Sequence, residues 1–204
     1  MNERRQSFLF INGILSNPED VSTWTDNAET WIERETRYTA EKYEYRAGAL
    51  TRRIYQGKRV ENVITIGKRI GSQNLILVGH SNGCQIIEEV VQKNKLQIKE
   101  LHLIAGASGH DFEKNGYNKA LMTGRIEKIF VYASPKDEAL QKAKATSLLQ
   151  WFGLGYGYLG LVGPSRVNES VKDKVVTIWK NFNHGDWFTK KNFENTMKKI
   201  VHAV

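Results

Sequence analysis

Gly79-His80-Ser81-Asn82-Gly83 stands between an apolar run, Asn74 to Val78 (NLILV), and a stretch of helical spacing that opens at Ser81 or Asn82 and continues to about Lys93. No other segment constrains the fold as much. A near-continuous apolar run is the signature of a strand covered on both faces, as in a parallel sheet. Ile86, Ile87, Val90 and Val91 then recur at the spacing of one helix face. To pass from that strand into that helix the chain must turn sharply, which drives Ser81 toward positive φ while the flanking glycines avoid Cβ clashes. The serine hydroxyl is left above the C-terminal edge of the sheet, where ligands bind in open α/β sheets. The pattern is G-x-S-x-G in a strand, turn and helix context.

The rest of the chain supports that frame. Strands are predicted at Ser7 to Ile11, Arg37 to Arg46 (near an edge), Leu101 to Ala105, Lys128 to Ala133 and Val175 to Trp179. Between them lie helical patterns around Val21 to Arg34, through Val60, Val63, Ile64, Gly67 and Gly71, from Pro135 to Gln150 and from Lys190 to His202, with a polar loop before Lys128. Strands alternating with helices predict an α/β fold, a three-layer α/β/α sandwich on a mostly parallel sheet. With 204 residues, 40% apolar, the chain suits one domain over 1–204 with a packed core.

Several other function classes are set aside. The segment MNERRQSFLFINGILSNPED has two arginines and a short apolar run but no small-x-small cleavage site, so it reads as a first strand. Residues 145–165 carry no charge, yet five glycines and Pro164 make them a poor lipid-spanning helix, so no stable membrane insertion is expected. The net charge is +8; residues 1–40 are net acidic, the positive excess is spread over residues 41–204, and no basic run exceeds two residues. Its densest part, Arg46 to Arg69 with Arg52, Arg53, Lys58, Arg59 and Lys68, reads as a solvated helix face, and no nucleic-acid partner is expected. The single Cys84 excludes an internal disulfide framework, fits a cytoplasmic location and reads as packing beside the turn. Gly155-Tyr156-Gly157-Tyr158-Leu159-Gly160 matches G-x-G-x-x-G but follows no clear strand, and Lys180 stands where an acid is needed, so a dinucleotide is not expected. Nothing in the pattern fixes an oligomeric state.

A serine hydroxyl is a weak nucleophile until a base takes its proton and a carboxylate holds that base. His184, in Asn183-His184-Gly185-Asp186-Trp187, follows the last strand and is the preferred base. The other histidines are less well placed: His80 is inside the turn, His102 within a strand and read as core, His110 in a loop, and His202 near the terminus. Asp137, in Ser134-Pro135-Lys136-Asp137-Glu138, is the preferred acid; Asp111 and Glu138 are its rivals. Attack on a carbonyl forms an oxyanion that needs two N–H donors, one expected from Asn82 and the other from the loop Asn12-Gly13-Ile14-Leu15.

From Ser7 to His202 the strand order, GHSNG, SPKDE and NHGDW make the chain resemble the α/β-hydrolase superfamily, and one of its small, nearly capless members. Phe10 to Ile14 corresponds to the family's His-Gly-x segment, with Asn12 in place of the usual His. The resemblance implies Ile14 as the second oxyanion donor. It also implies a serine hydrolase acting on an ester, thioester or amide through an acyl-enzyme, with no metal or cofactor. A carboxylesterase or lipase-like enzyme on small-molecule acyl esters is the leading expectation. An acyltransferase, thioesterase or peptidase with the same triad, or a non-catalytic binding module, are the alternatives. Residues 145–165, with Trp151, Phe152, Leu154, Tyr156, Tyr158, Leu159 and Leu161, offer either a lid and pocket wall or simple core packing.

Overall fold

Short runs of branched and aromatic residues form the strands: β1 (Ser7–Ile11), β2 (Thr39–Tyr43), β3 (Leu75–His80), β4 (Ile98–Ile104), β5 (Ile126–Ala133) and β6 (Val175–Trp179). They pair in parallel in the order β2-β1-β3-β4-β5-β6, with β2 at an edge as its half-polar sequence requires. A computed structural model describes residues 6–13, 24–45, 55–71, 74–145 and 157–203.

The helices are α1 (Trp24–Glu35), α2 (Gln56–Ile70), α3 (Asn82–Lys93), α4 (Tyr117–Met122), α5 (Glu138–Ala145), α6 (Leu159–Val162) and α7 (Phe193–Val201), with 3-10 turns at Glu169–Lys174 and Asp186–Phe188. Side chains alternate along each strand, and the core divides accordingly. Phe8 and Phe10 of β1, with Ile76 and Val78 of β3, pack against Trp31 and Ile32 of α1 and Met197 and Ile200 of α7. Leu9, Ile11, Leu75 and Leu77 turn the other way, toward Val60, Val63 and Ile64 of α2 and Ile86, Ile87 and Val90 of α3. Both faces of the sheet are covered, as the apolar run at β3 requires, and each such fully buried side chain contributes about 1.5–3 kcal/mol of transfer free energy. His102 is buried in this core, hydrogen-bonded to Glu100 (3.2 Å) and Tyr132 (3.0 Å) and stacked on Phe130.

From β1 the chain steps outward to β2, then crosses back to β3 and continues the other way. The strand order therefore reverses between β1 and β3, and the loops leaving those two strands are neighbours at the C-terminal edge of the sheet.

Two local expectations change. The polar loop before β5 contains α4, whose six residues are too few to leave a periodic signature. Arg59 does not belong to a solvated face: it is 5% exposed, with its guanidinium 4.5 Å over the ring of Tyr45, whereas Lys58, Lys68 and Arg69 are exposed. Its position on α2 points to the sheet, and a charge count does not record direction. The glycines of the G-x-G-x-x-G pattern serve close approach. A Cβ on Gly157 would lie 2.0 Å from the Ser108 carbonyl, and one on Gly160 would lie 2.4 Å from the Gly106 nitrogen. Both brace the loop that follows β4. No helix among the described residues is long and apolar enough to cross a membrane.

Candidate active site

Ser81 is the hinge between β3 and α3, with φ 55° and ψ −123°, a conformation that L residues adopt only under constraint. The constraint is visible on each side. Its N–H donates to the Ile104 carbonyl (3.0 Å), and its own carbonyl accepts from Cys84 (3.1 Å) and Ala107 (3.0 Å). Gly83 lies so close to β1 that a Cβ there would be 2.4 Å from the Ile11 carbonyl oxygen. A Cβ on Gly13 would lie 2.9 Å from the Ser81 Cβ and 3.4 Å from its Oγ. The loop after β1 thus lies directly against the serine, as the reversal of strand order dictates.

That loop is held by Asn12, whose Oδ1 accepts from the Gly13 N–H (2.8 Å) and from Trp24 Nε1 (2.9 Å). Here the asparagine fixes the turn by a side-chain bond to its own neighbour and to the first residue of α1. On the other side Asn82, 1% exposed, donates from Nδ2 to the Tyr45 hydroxyl (2.6 Å). Burial pushes the Tyr45 phenol up to about 12, so it remains a neutral hydroxyl at ordinary pH. Ile14 lies outside the described residues, as do Trp151, Phe152, Leu154 and Tyr156.

The structure brings His184 and Asp137 together. Asp137 Oδ2 is 2.8 Å from His184 Nδ1, and its Oδ1 accepts from the backbone of Leu140 at 2.9 Å, so a carboxylate with no exposed surface has both oxygens engaged. His184 keeps 25% of its side chain exposed. Ser134 joins the two loops: its Oγ donates to the Phe182 carbonyl (2.5 Å) and accepts from the Phe182 N–H (3.0 Å). Asp111 is elsewhere, beside Arg166 (3.4 Å) and capping the Lys114 N–H, while Glu138 opens α5. Of the three acids considered, Asp137 is the one paired with His184.

His80, which sequence reasoning set aside as a mere turn residue, is part of the same cluster. Its Nε2 is 3.0 Å from the His184 carbonyl oxygen, and its ring lies 5.0 Å from the His184 ring, 5.3 Å from Phe188 and 6.1 Å from Trp24. Burial, reinforced by the neighbouring His184, holds its pKa down to about 3. Trp24 and Phe188 stack at 4.0 Å and form an aromatic wall beside it. Ser134 and Tyr45 were also missed. For His80 and Ser134 the sequence signal was proximity to a motif, and for Tyr45 there was none, since their partners come from distant segments.

In the uncharged stretch, Leu159, Gly160 and Leu161 pack inward, whereas Val162 is exposed. Leu159 belongs to the core against α3, Leu161 packs with Ala107 and Leu140, and Tyr158 stacks on His110 at 4.8 Å. The backbone of 159–160 bonds to Ser108 and Gly106 on one side and to Ser134 on the other, joining the loop behind Ser81 to the loop that carries Asp137.

No family model matches the chain. Part of it is 34% identical over 118 residues to proline–tRNA ligase of Thermosipho melanesiensis, a match covering 56% of this chain and 19% of that protein, so the chain spans about a fifth of that relative's length. Among solved structures it is similar to a protein described as a hydrolase from Agrobacterium vitis (TM-score 0.60, 14% identity, 97% of this chain and 87% of that one). It is also similar to α/β-hydrolase domain-containing protein 10 from mouse (TM-score 0.57, 15% identity, 97% and 88%) and to an arylesterase (TM-score 0.55, 12% identity, 97% and 75%). The chain has the α/β-hydrolase fold.

Proposed function

We propose that this α/β-hydrolase-fold chain is a serine hydrolase that cleaves carboxylic esters through a Ser81, His184 and Asp137 triad. The observation that carries the reading is the 2.8 Å bond from His184 to a fully buried Asp137, in a loop tied to the residue preceding Ser81. Ser81 Oγ attacks the ester carbonyl carbon while His184 Nε2 takes its proton; Asp137 accepts from Nδ1–H and stabilises the imidazolium. The backbone N–H groups of Asn82 and Ile14 receive the oxyanion, a contribution for which each donor is typically worth about 100- to 1,000-fold in rate. Collapse of the tetrahedral species expels the alcohol, which takes the proton from His184. Water then repeats the sequence on the acyl-enzyme and returns Ser81. The stacked rings of Trp24 and Phe188 beside His80 favour a substrate with an apolar group.

Fluorophosphonate labelling tests this reading. Wild-type protein should be labelled once per chain, Ser81→Ala should not be labelled, and Ser81→Ala should lose hydrolysis of short p-nitrophenyl esters. Equal labelling of folded wild type and Ser81→Ala, or none of either, overturns it.

A further inference from the structure

The second residue of the Gly79 to Gly83 turn has a hydrogen bond that the proposed chemistry does not require. A backbone carbonyl can only accept, so the 3.0 Å contact between His80 Nε2 and the His184 oxygen means that Nε2 carries the proton. We propose that His80 is a positioning residue: a neutral imidazole whose Nε2–H latches the loop bearing His184 to the turn bearing Ser81. This rests on the reading of Ser81 and His184 as nucleophile and base.

Three observations support it. The bond links residues 104 positions apart, so it fixes two separate loops and not a local turn. Ser81 is the next residue along a backbone whose φ and ψ are already constrained, so a force on the His80 ring is transmitted to the nucleophile rather than absorbed. The ring is also kept in one protonation state. Trp24 and Phe188 shield it, the titratable groups acting on it are His184 and Asp137, and burial is the dominant effect. A latch that stayed uncharged throughout the working range would hold His184 in place even while His184 itself gains and loses a proton.

The hydrogen bond from His80 ties the loop of His184 to the turn. Ser134 and Asp137 hold that loop to the loop after β5. His80 supplies the tie on the serine side. Misplacing a reacting group by about 1 Å can cost on the order of 100-fold in rate.

Two measurements test the latch. Nitrogen-15 shifts of the His80 imidazole should show the Nε2–H tautomer, neutral from pH 8 to pH 5; an Nδ1–H tautomer, or titration near the ordinary histidine value, overturns the proposal. This readout needs no activity, so it decides the latch even if wild-type Ser81 proves unreactive and the hydrolase reading falls. In kinetics, His80→Phe should slow fluorophosphonate labelling of Ser81 and kcat on esters by roughly 10- to 100-fold, with KM and Tm unchanged. His80→Gln, whose amide can donate from a similar reach, should recover most of the loss. Wild-type rates in both variants, or a folded His80→Gln as slow as His80→Phe, overturn it.

Discussion

At the scale of single residues, Ser81 combines chemistry with strain. Its φ of 55° and ψ of −123° are held by hydrogen bonds from β4 and the loop after it, and conformations of this kind typically cost about 1–3 kcal/mol. Ser81→Gly should therefore be more stable than Ser81→Ala by about 1 kcal/mol, although both lose the proposed nucleophile; thermal denaturation of the two variants checks this, and a less stable glycine variant contradicts it. The acid is separable in the same way. Asp137→Asn leaves shape intact but removes the carboxylate that orients His184, and turnover should fall by about 10,000-fold, as for other triads of this type. Asp111→Asn, which alters only a contact to Arg166 and a local cap, should stay within a few-fold of wild type in the same assay.

Among the elements, the backbone contacts of α6 and the residue pair before it matter more than their length suggests. Gly157 and Gly160 lie against residues 105–109, and the carbonyl of Gly160 accepts from the N–H of Ser134, the residue whose Oγ clamps Phe182. Gly160→Ala places a methyl 2.4 Å from a backbone nitrogen that has no flexible end to move, so it should destabilise by about 1–3 kcal/mol. Gly57→Ala is the counterpart. It meets nothing within 4 Å on an exposed position of α2 and should stabilise by up to about 1 kcal/mol. Urea midpoints of the two variants decide both, and a Gly160→Ala midpoint at or above wild type would falsify the bracing role.

For the whole molecule, pH stability follows from a carboxyl that the proposed mechanism does not use. Glu88 on α3 faces the core and accepts from the Gly109 N–H at 2.9 Å, and burial raises its pKa from 4.5 to about 7. The folded state therefore keeps a proton that the unfolded chain releases above pH 4.5. This carboxyl is neutral to folding below that pH, and its ionisation progressively destabilises the fold as pH rises from 4.5 to about 7, by on the order of 3 kcal/mol at most. Glu88→Gln should remove that slope and raise Tm at pH 8 relative to wild type; unchanged pH dependence in the variant would refute the assignment.

The sequence by itself determined the strand-to-helix turn at Ser81, the alternation that makes a two-sided parallel sheet, and the candidates His184 and Asp137, because each is written in local pattern and chain order. Periodicity records which residues face inward, and chain order constrains which loops share an edge of the sheet. Tertiary structure decided what depends on long-range pairing. It paired Asp137 rather than Asp111 with His184, buried Arg59 over Tyr45, used Gly157 and Gly160 as contacts for the loop after β4, and joined His80 to a carbonyl 104 residues away. The physical reason is common to all four. A hydrogen bond or a close contact is set by distance and direction in space, and the sequence fixes these only once the strand order has brought the loops together.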